Sequence, residues 1–136
     1  MSSNLRYASV QWTHDLVFEG CGPDGPTITI DGDGKEGPSP VVSLMLAAAA
    51  CSGADVVLIL QKMRASISSF RIDVRGTRRE EDPRRYTALH FTFRLAGKGV
   101  DETRARRAIG LSLEKYCSVI HSLAPDIAIT CDLDLG

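Results

Sequence analysis

The stretch Gly37-Pro-Ser-Pro-Val-Val-Ser-Leu-Met-Leu-Ala-Ala-Ala-Ala-Cys51-Ser-Gly-Ala-Asp-Val-Val-Leu-Ile-Leu60 decides the fold. Ser39 followed by Pro40 opens a helix well, because a hydroxyl can cap the first free N–H groups and proline suits the first helical position. No charged side chain falls between residues 37 and 54. The predicted helix runs from Val41 towards Arg64 and is apolar all round in its first half. Such a helix is buried, either centrally or between subunits. Two prolines, two serines and a glycine interrupt the run near its start, so it reads as a core helix and not a membrane span. Ser52-Gly53 is the expected point of a kink or split, with Asp55 near a second helical start.

Outward from this helix the pattern changes to period two. Over residues 6–14, Ala8, Val10 and Trp12 alternate with Tyr7, Ser9, Gln11 and Thr13, which reads as a strand. Residues 16–19 form a second short strand, 20–25 a Gly-Pro turn, 27–30 a third strand and 31–37 a loop. After the helix, Phe70, Ile72 and Val74 face inward along 67–75. Residues 78–85 make a charged hairpin tip, and Leu89, Phe91, Phe93 and Leu95 face inward on the return strand. A second, amphipathic helix starts at Asp101 or Glu102. Its stripe is Ala105, Ala108, Ile109, Leu113, Tyr116, Cys117 and Ile120, and Pro125 ends it. Ile127, Ile129, Cys131, Leu133 and Leu135 alternate through a last strand. Strands, long helix, hairpin, helix, strand define an α+β chain. So few helices leave the apolar one undercovered, which predicts a dimer.

A chain of 136 residues suits a single domain spanning 1–136. The formal net charge of −1 argues against nucleic acid or an anionic membrane as the main partner. The N-terminus lacks a basic-then-apolar leader, so the cytoplasm is the expected compartment, where thiols stay reduced. The four cysteines, Cys21, Cys51, Cys117 and Cys131, are then core residues, ligands or reactive thiols.

Cys51 follows four alanines, and small neighbours leave the space beside sulfur that a reactive thiol needs. From the local pattern alone the plainer reading is a packed small hydrophobe, because free cysteine is among the most buried residues. Cys117 lies on the apolar face of the second helix with Glu114 and His121 in the same helical row. A neighbouring imidazolium would lower its pKa and a carboxylate would raise it; packing is again the plainer local reading. Cys131 alternates with Ile129 and Leu133 and reads as core, Cys21 as an exposed turn residue, and His90 as surface. No zinc-ligand spacing joins His14, His90 and His121 to the cysteines. The Arg-rich tip at 78–85 reads as local ion pairing, and the glycines at 32 and 34 match no phosphate loop.

The segment from Gly37 through Cys51 to Leu60 resembles the first cysteine motif of the OsmC/Ohr family, the osmotically inducible and organic hydroperoxide resistance proteins. Glu114-Lys-Tyr-Cys117-Ser-Val resembles the second, in a form most like the YhfA-like subgroup. The resemblance covers nearly the whole chain. It implies an OsmC-like fold of antiparallel sheets around a long central helix, in an intertwined homodimer. It implies a thiol peroxidase for organic hydroperoxides, with Cys51 as peroxidatic nucleophile and Cys117 as resolving thiol. It implies no bound cofactor or metal, and an external dithiol or lipoyl-type reductant that resets a Cys51–Cys117 disulfide. The family's hydroperoxidases carry a Glu where this chain has Val41, and an N-terminal Arg near whose place His14 stands. Glu114, His14 and His121 are therefore the possible auxiliary residues. The alternative is a redox-sensing or small-molecule-binding dimer of the same fold.

Overall fold

The computed structural model describes residues 4–136, arranged as two compact units, one ending at Leu44 and the other running Met45–Gly136. In the first unit, β1 (Ser9–His14), β2 (Val17–Cys21) and β3 (Thr27–Asp31) form an antiparallel meander in that order. Trp12 stands opposite Phe18, and Phe18 opposite Ile30. The turn expected from residue 20 begins later, because Gly20 and Cys21 complete the β2 ladder against Ile28 and Thr27. Asp31 closes the following loop. Its buried carboxylate accepts the N–H groups of Asp33, Lys35 and Glu36 at 2.8–3.1 Å. Those bonds, the Glu36 N–H foremost, hold its pKa below the usual carboxylate range.

Helix α1 (Pro40–Lys62) starts as expected, with the Ser39 hydroxyl accepting the Val42 N–H. It runs through Ser52-Gly53 without the expected break. The small residues serve packing instead: a Cβ on Gly53 would lie 3.1 Å from the Ile72 side chain. In the second unit the buried positions of α1 are Ala48, Ala49, Ser52, Gly53, Val56 and Leu60. The expected all-round burial is not met within one chain, since Leu44, Leu46 and Leu58 remain exposed.

Hairpin β4 (Ser66–Arg78) and β5 (Tyr86–Lys98) is followed by α2 (Glu102–Leu111), a π-helical turn (Ser112–Tyr116), the short α3 (Ser118–His121) and β6 (Ala128–Leu135). The sheet order is β4-β5-β6, with β4 and β5 antiparallel. Strand β6 lies parallel to β5, a departure from the all-antiparallel expectation. A parallel return needs a crossover of a dozen or more residues, which the helical segment supplies. Leu89, Phe91, Phe93 and Leu95 are the inward face of β5 and are at most 1% exposed. Across the other face His90 bonds Thr130 and Asp132, and Arg94 bonds Asp73 and Asp134, fixing the register of all three strands.

The predicted second helix is correct at its start and wrong past Leu111. Asp101 caps it by accepting the Arg104 N–H at 2.8 Å. Cys117, with φ −70° and ψ 101°, has left the helix altogether. Glu114, Cys117 and His121 therefore do not share a helical row, and Tyr116 is half exposed. Pro125 lies four residues beyond the last helical residue, His121.

The β4–β5 packing depends on Gly97, where a Cβ would sit 2.1 Å from the Ser66 carbonyl oxygen. Forcing backbone apart in a packed core costs about 1–3 kcal/mol. Gly97→Ala is expected to lower the urea midpoint by a corresponding amount with an unchanged slope.

Candidate thiol site

Cys51 and Cys117 come together within the second unit. Cys51 is half-buried on α1, whereas Cys117 is fully buried at the break after the π turn. The Cys117 thiol donates to the Ala48 carbonyl at 3.9 Å, one helical turn before Cys51. Its N–H donates to the Ser112 carbonyl at 2.8 Å. Burial pushes the Cys117 pKa up to about 11, partly opposed by the Ile120 N–H. A hydrogen bond to the Cys51 thiol and the charges of Cys51 and Asp55 push it the same way. Both cysteines are free thiols, and Cys51 lies near enough to help shift the Cys117 titration.

Beside the sulfurs lies a buried polar network that sequence reasoning missed. Ser52 follows Cys51, and Ser112 precedes Cys117 by five residues; both are fully buried. Ser112 Oγ lies 2.8 Å from Ser52 Oγ and 2.9 Å from Asp55 Oδ2. A hydroxyl has one proton and a carboxylate accepts. Ser112 therefore donates to Asp55, and Ser52 donates to Ser112. In sequence the signal was faint: two serines and one acid inside apolar stretches.

Cys51, Asp55, Ile59 and Lys62 follow one another at helical spacing along a single face of α1. Asp55, Ile59 and Lys62 line a groove of about 540 Å³, closed on its other side by Arg107, Leu111 and Tyr116. Its apolar wall suits an organic group more than a small polar solute.

The three auxiliary candidates are placed differently. Glu114 is exposed and lines the cavity that holds Cys131, while its carbonyl faces His121 Nε2 at 3.2 Å. His121 Nδ1 lies 2.9 Å from the Cys117 carbonyl, so this ring braces the backbone around Cys117. His14 belongs to the first unit. Its Nε2 is 2.7 Å from Glu36 Oε2, a partner not anticipated from sequence. Thr13 donates its hydroxyl proton to the Val17 carbonyl and so accepts from His14 Nδ1. With both ring nitrogens donating, the imidazolium is favoured, and the hydrogen bond to Glu36 raises the His14 pKa above its usual value.

The other thiols stand apart. Cys131 is exposed, contrary to the core reading, because parallel β6 turns it into a separate cavity beside Ile109, Leu113 and Arg106. Cys21 ends β2, half-buried. Among the described residues, no three His, Cys, Asp or Glu side chains form a group able to hold a metal ion.

A profile described as OsmC-like protein matches residues 32–132, and the chain belongs to that family. The match crosses the boundary between the two units. Protein YhfA of Escherichia coli strain K12 is 39% identical over 124 residues, covering 90% of this chain and 92% of that protein. A solved structure of a hypothetical protein from Aquifex aeolicus VF5 superposes with TM-score 0.88 at 28% identity, over 98% of this chain and 97% of that one. The organic hydroperoxide resistance protein OhrB of Bacillus subtilis shares the fold, with TM-score 0.61 at 14% identity over 99% and 100% of the two chains.

Two pH dependences follow. An unfolded thiol near pKa 9 loses its proton before buried Cys117 does at about 11. The native state then holds the extra proton, and stability falls as pH rises from 9 through 11. Comparing wild type with Cys117→Ala by denaturation across that range should show the extra fall in wild type alone. For His14, Glu36→Gln should bring the imidazole titration down towards its ordinary value, read by proton NMR.

Proposed function

We propose that this protein is a thiol peroxidase that reduces organic hydroperoxides through Cys51 and Cys117. The observation that carries the proposal is the inequivalent, neighbouring thiol pair: one half-exposed on a helix a turn before groove-lining Asp55, the other buried with its pKa raised. Cys51 is the thiol a peroxide can reach. Its thiolate attacks the terminal peroxide oxygen, the O–O bond breaks, and the alkoxide leaves with a proton as alcohol. Cys51 is then a sulfenic acid. The Cys117 sulfur attacks it, water departs, and a Cys51–Cys117 disulfide remains. An external dithiol, of the lipoyl type by analogy, returns both sulfurs to thiols by exchange.

Membership of the OsmC-like family and the fold shared with hydroperoxide resistance proteins support this reading. The single-domain reading, 1–136, is supported by a family match that spans both units. A cytoplasmic setting fits the reduced thiols that the chemistry starts from. A homodimer is supported by the large apolar side chains left exposed on one chain: Tyr7, Val10, Trp12, Leu46 and Leu58 are each more than half exposed. His14, paired with Glu36, is proposed as an auxiliary charge, and Glu114 and His121 as auxiliaries bracing the Cys117 turn.

A second reading, a redox-sensing or ligand-binding dimer, is favoured by one departure: Val41 and Val42 follow the helix-opening proline. Without an acid there, slow peroxide chemistry would leave the groove as a binding site.

Peptide mass mapping after one equivalent of cumene hydroperoxide separates the two. The expected product is a Cys51–Cys117 disulfide within seconds, absent in Cys51→Ser. In Cys117→Ser a Cys51 sulfenic acid should be trapped by a dimedone reagent. Thiols unmodified after minutes would sink the peroxidase reading and leave the binding one.

A further inference from the structure

The hydrogen-bonded chain beside the sulfurs has a place in the fold that packing alone does not require. Ser52 is covalently next to Cys51 on α1. Ser112 accepts the N–H of Cys117 on its own carbonyl at 2.8 Å. The serine side chains meet at 2.8 Å, and Asp55, one turn past Cys51, accepts from Ser112 at 2.9 Å. Both serines are completely removed from solvent, and no buried side-chain polar atom among the described residues lacks a partner. Ser112 also opens the π turn, and such turns cluster at functional sites because they re-aim the residues that follow. Here the residue re-aimed is Cys117, which leaves the helix and directs its thiol at the Ala48 carbonyl.

We propose that Ser52, Ser112 and Asp55 are positioning residues, a clamp that holds the Cys117 sulfur in bonding register with Cys51. Either sulfur could otherwise move away, because Cys117 sits in extended backbone at a junction of two helical pieces. The clamp ties that junction to α1 by two hydrogen bonds, one of them to a carboxylate. Each such bond is strong in a dry interior, and removing one partner leaves the other unsatisfied. Registration of the sulfurs is what makes disulfide closure intramolecular and fast.

The clamp rests on the proposed Cys51–Cys117 pair, but its test does not need peroxide. The full chain is equilibrated in buffers of reduced and oxidised glutathione, and the fraction of Cys51–Cys117 disulfide gives the effective concentration of one thiol at the other. Ser112→Ala should lower that effective concentration about tenfold, as loss of a bond to a charged group implies. Asp55→Asn keeps an acceptor for Ser112 without the charge, and should lower it by a smaller factor. Ser122→Ala, which loses an exposed hydroxyl bonded to Ser118 on the same segment, should match wild type. Far-ultraviolet circular dichroism and urea midpoints report whether each variant folds. Should Ser112→Ala prove unfolded, Asp55→Asn decides alone. A folded Ser112→Ala or Asp55→Asn with wild-type effective concentration overturns the clamp. Failure of peroxide to oxidise Cys51, with a normal glutathione equilibrium and its loss in the variants, would overturn the peroxidase reading and uphold the clamp.

Discussion

Close approach along one side of α1 is the constraint from which the second unit follows. That side carries Ala48, Ala49, Ser52 and Gly53, none larger than a serine, and all are buried. With such side chains the neighbouring elements reach the helix backbone itself. The Ile72 side chain comes to where a Gly53 Cβ would stand, and the Cys117 thiol reaches the Ala48 carbonyl. A leucine at any of these places would hold the junction after α2 away from α1 and separate the sulfurs. The alanine run before Cys51 is therefore a packing surface first, and the cysteine pair is possible because of it.

The same closeness makes the thiols unequal. Cys117 lies where water is excluded and where Cys51 and Asp55 place negative charge near it, so it holds its proton to about pH 11. Cys51 keeps part of its surface in solvent.

Much of this was legible in the chain. Period-two alternation located the three strands of the second unit, because one face of that sheet must be buried. Ser39-Pro40 located the first helix N-terminus through its capping chemistry, and the second was placed at Asp101 or Glu102. What failed was decided by tertiary structure. Nothing in Ser112-Leu-Glu-Lys-Tyr116 marks it as a π turn, since the stripe of apolar residues continues through it at helical spacing. Cys131 alternates like a core residue, but parallel β6 leaves it exposed at a cavity. The two motif cysteines were found by family resemblance. The serines that join their elements were invisible, because a buried hydroxyl pair depends on two segments sixty residues apart.

Helix α1 is long and apolar enough, by length and composition, to cross a membrane, with a mean hydropathy of 2.0 over its most apolar window. Its two sides answer the question differently. The packed side holds Gly53 against a strand residue and carries Asp55 and the buried Ser52, both bonded to Ser112 of the π turn, features that need protein neighbours at fixed positions. An ionised Asp55 facing hydrocarbon would be costly. The other side leaves Leu44, Leu46 and Leu58 open within one chain. A cover for those leucines must leave the polar side undisturbed. A second copy of the chain laid along the exposed side, as in the proposed homodimer, would meet that condition, whereas lipid surrounding the helix would not.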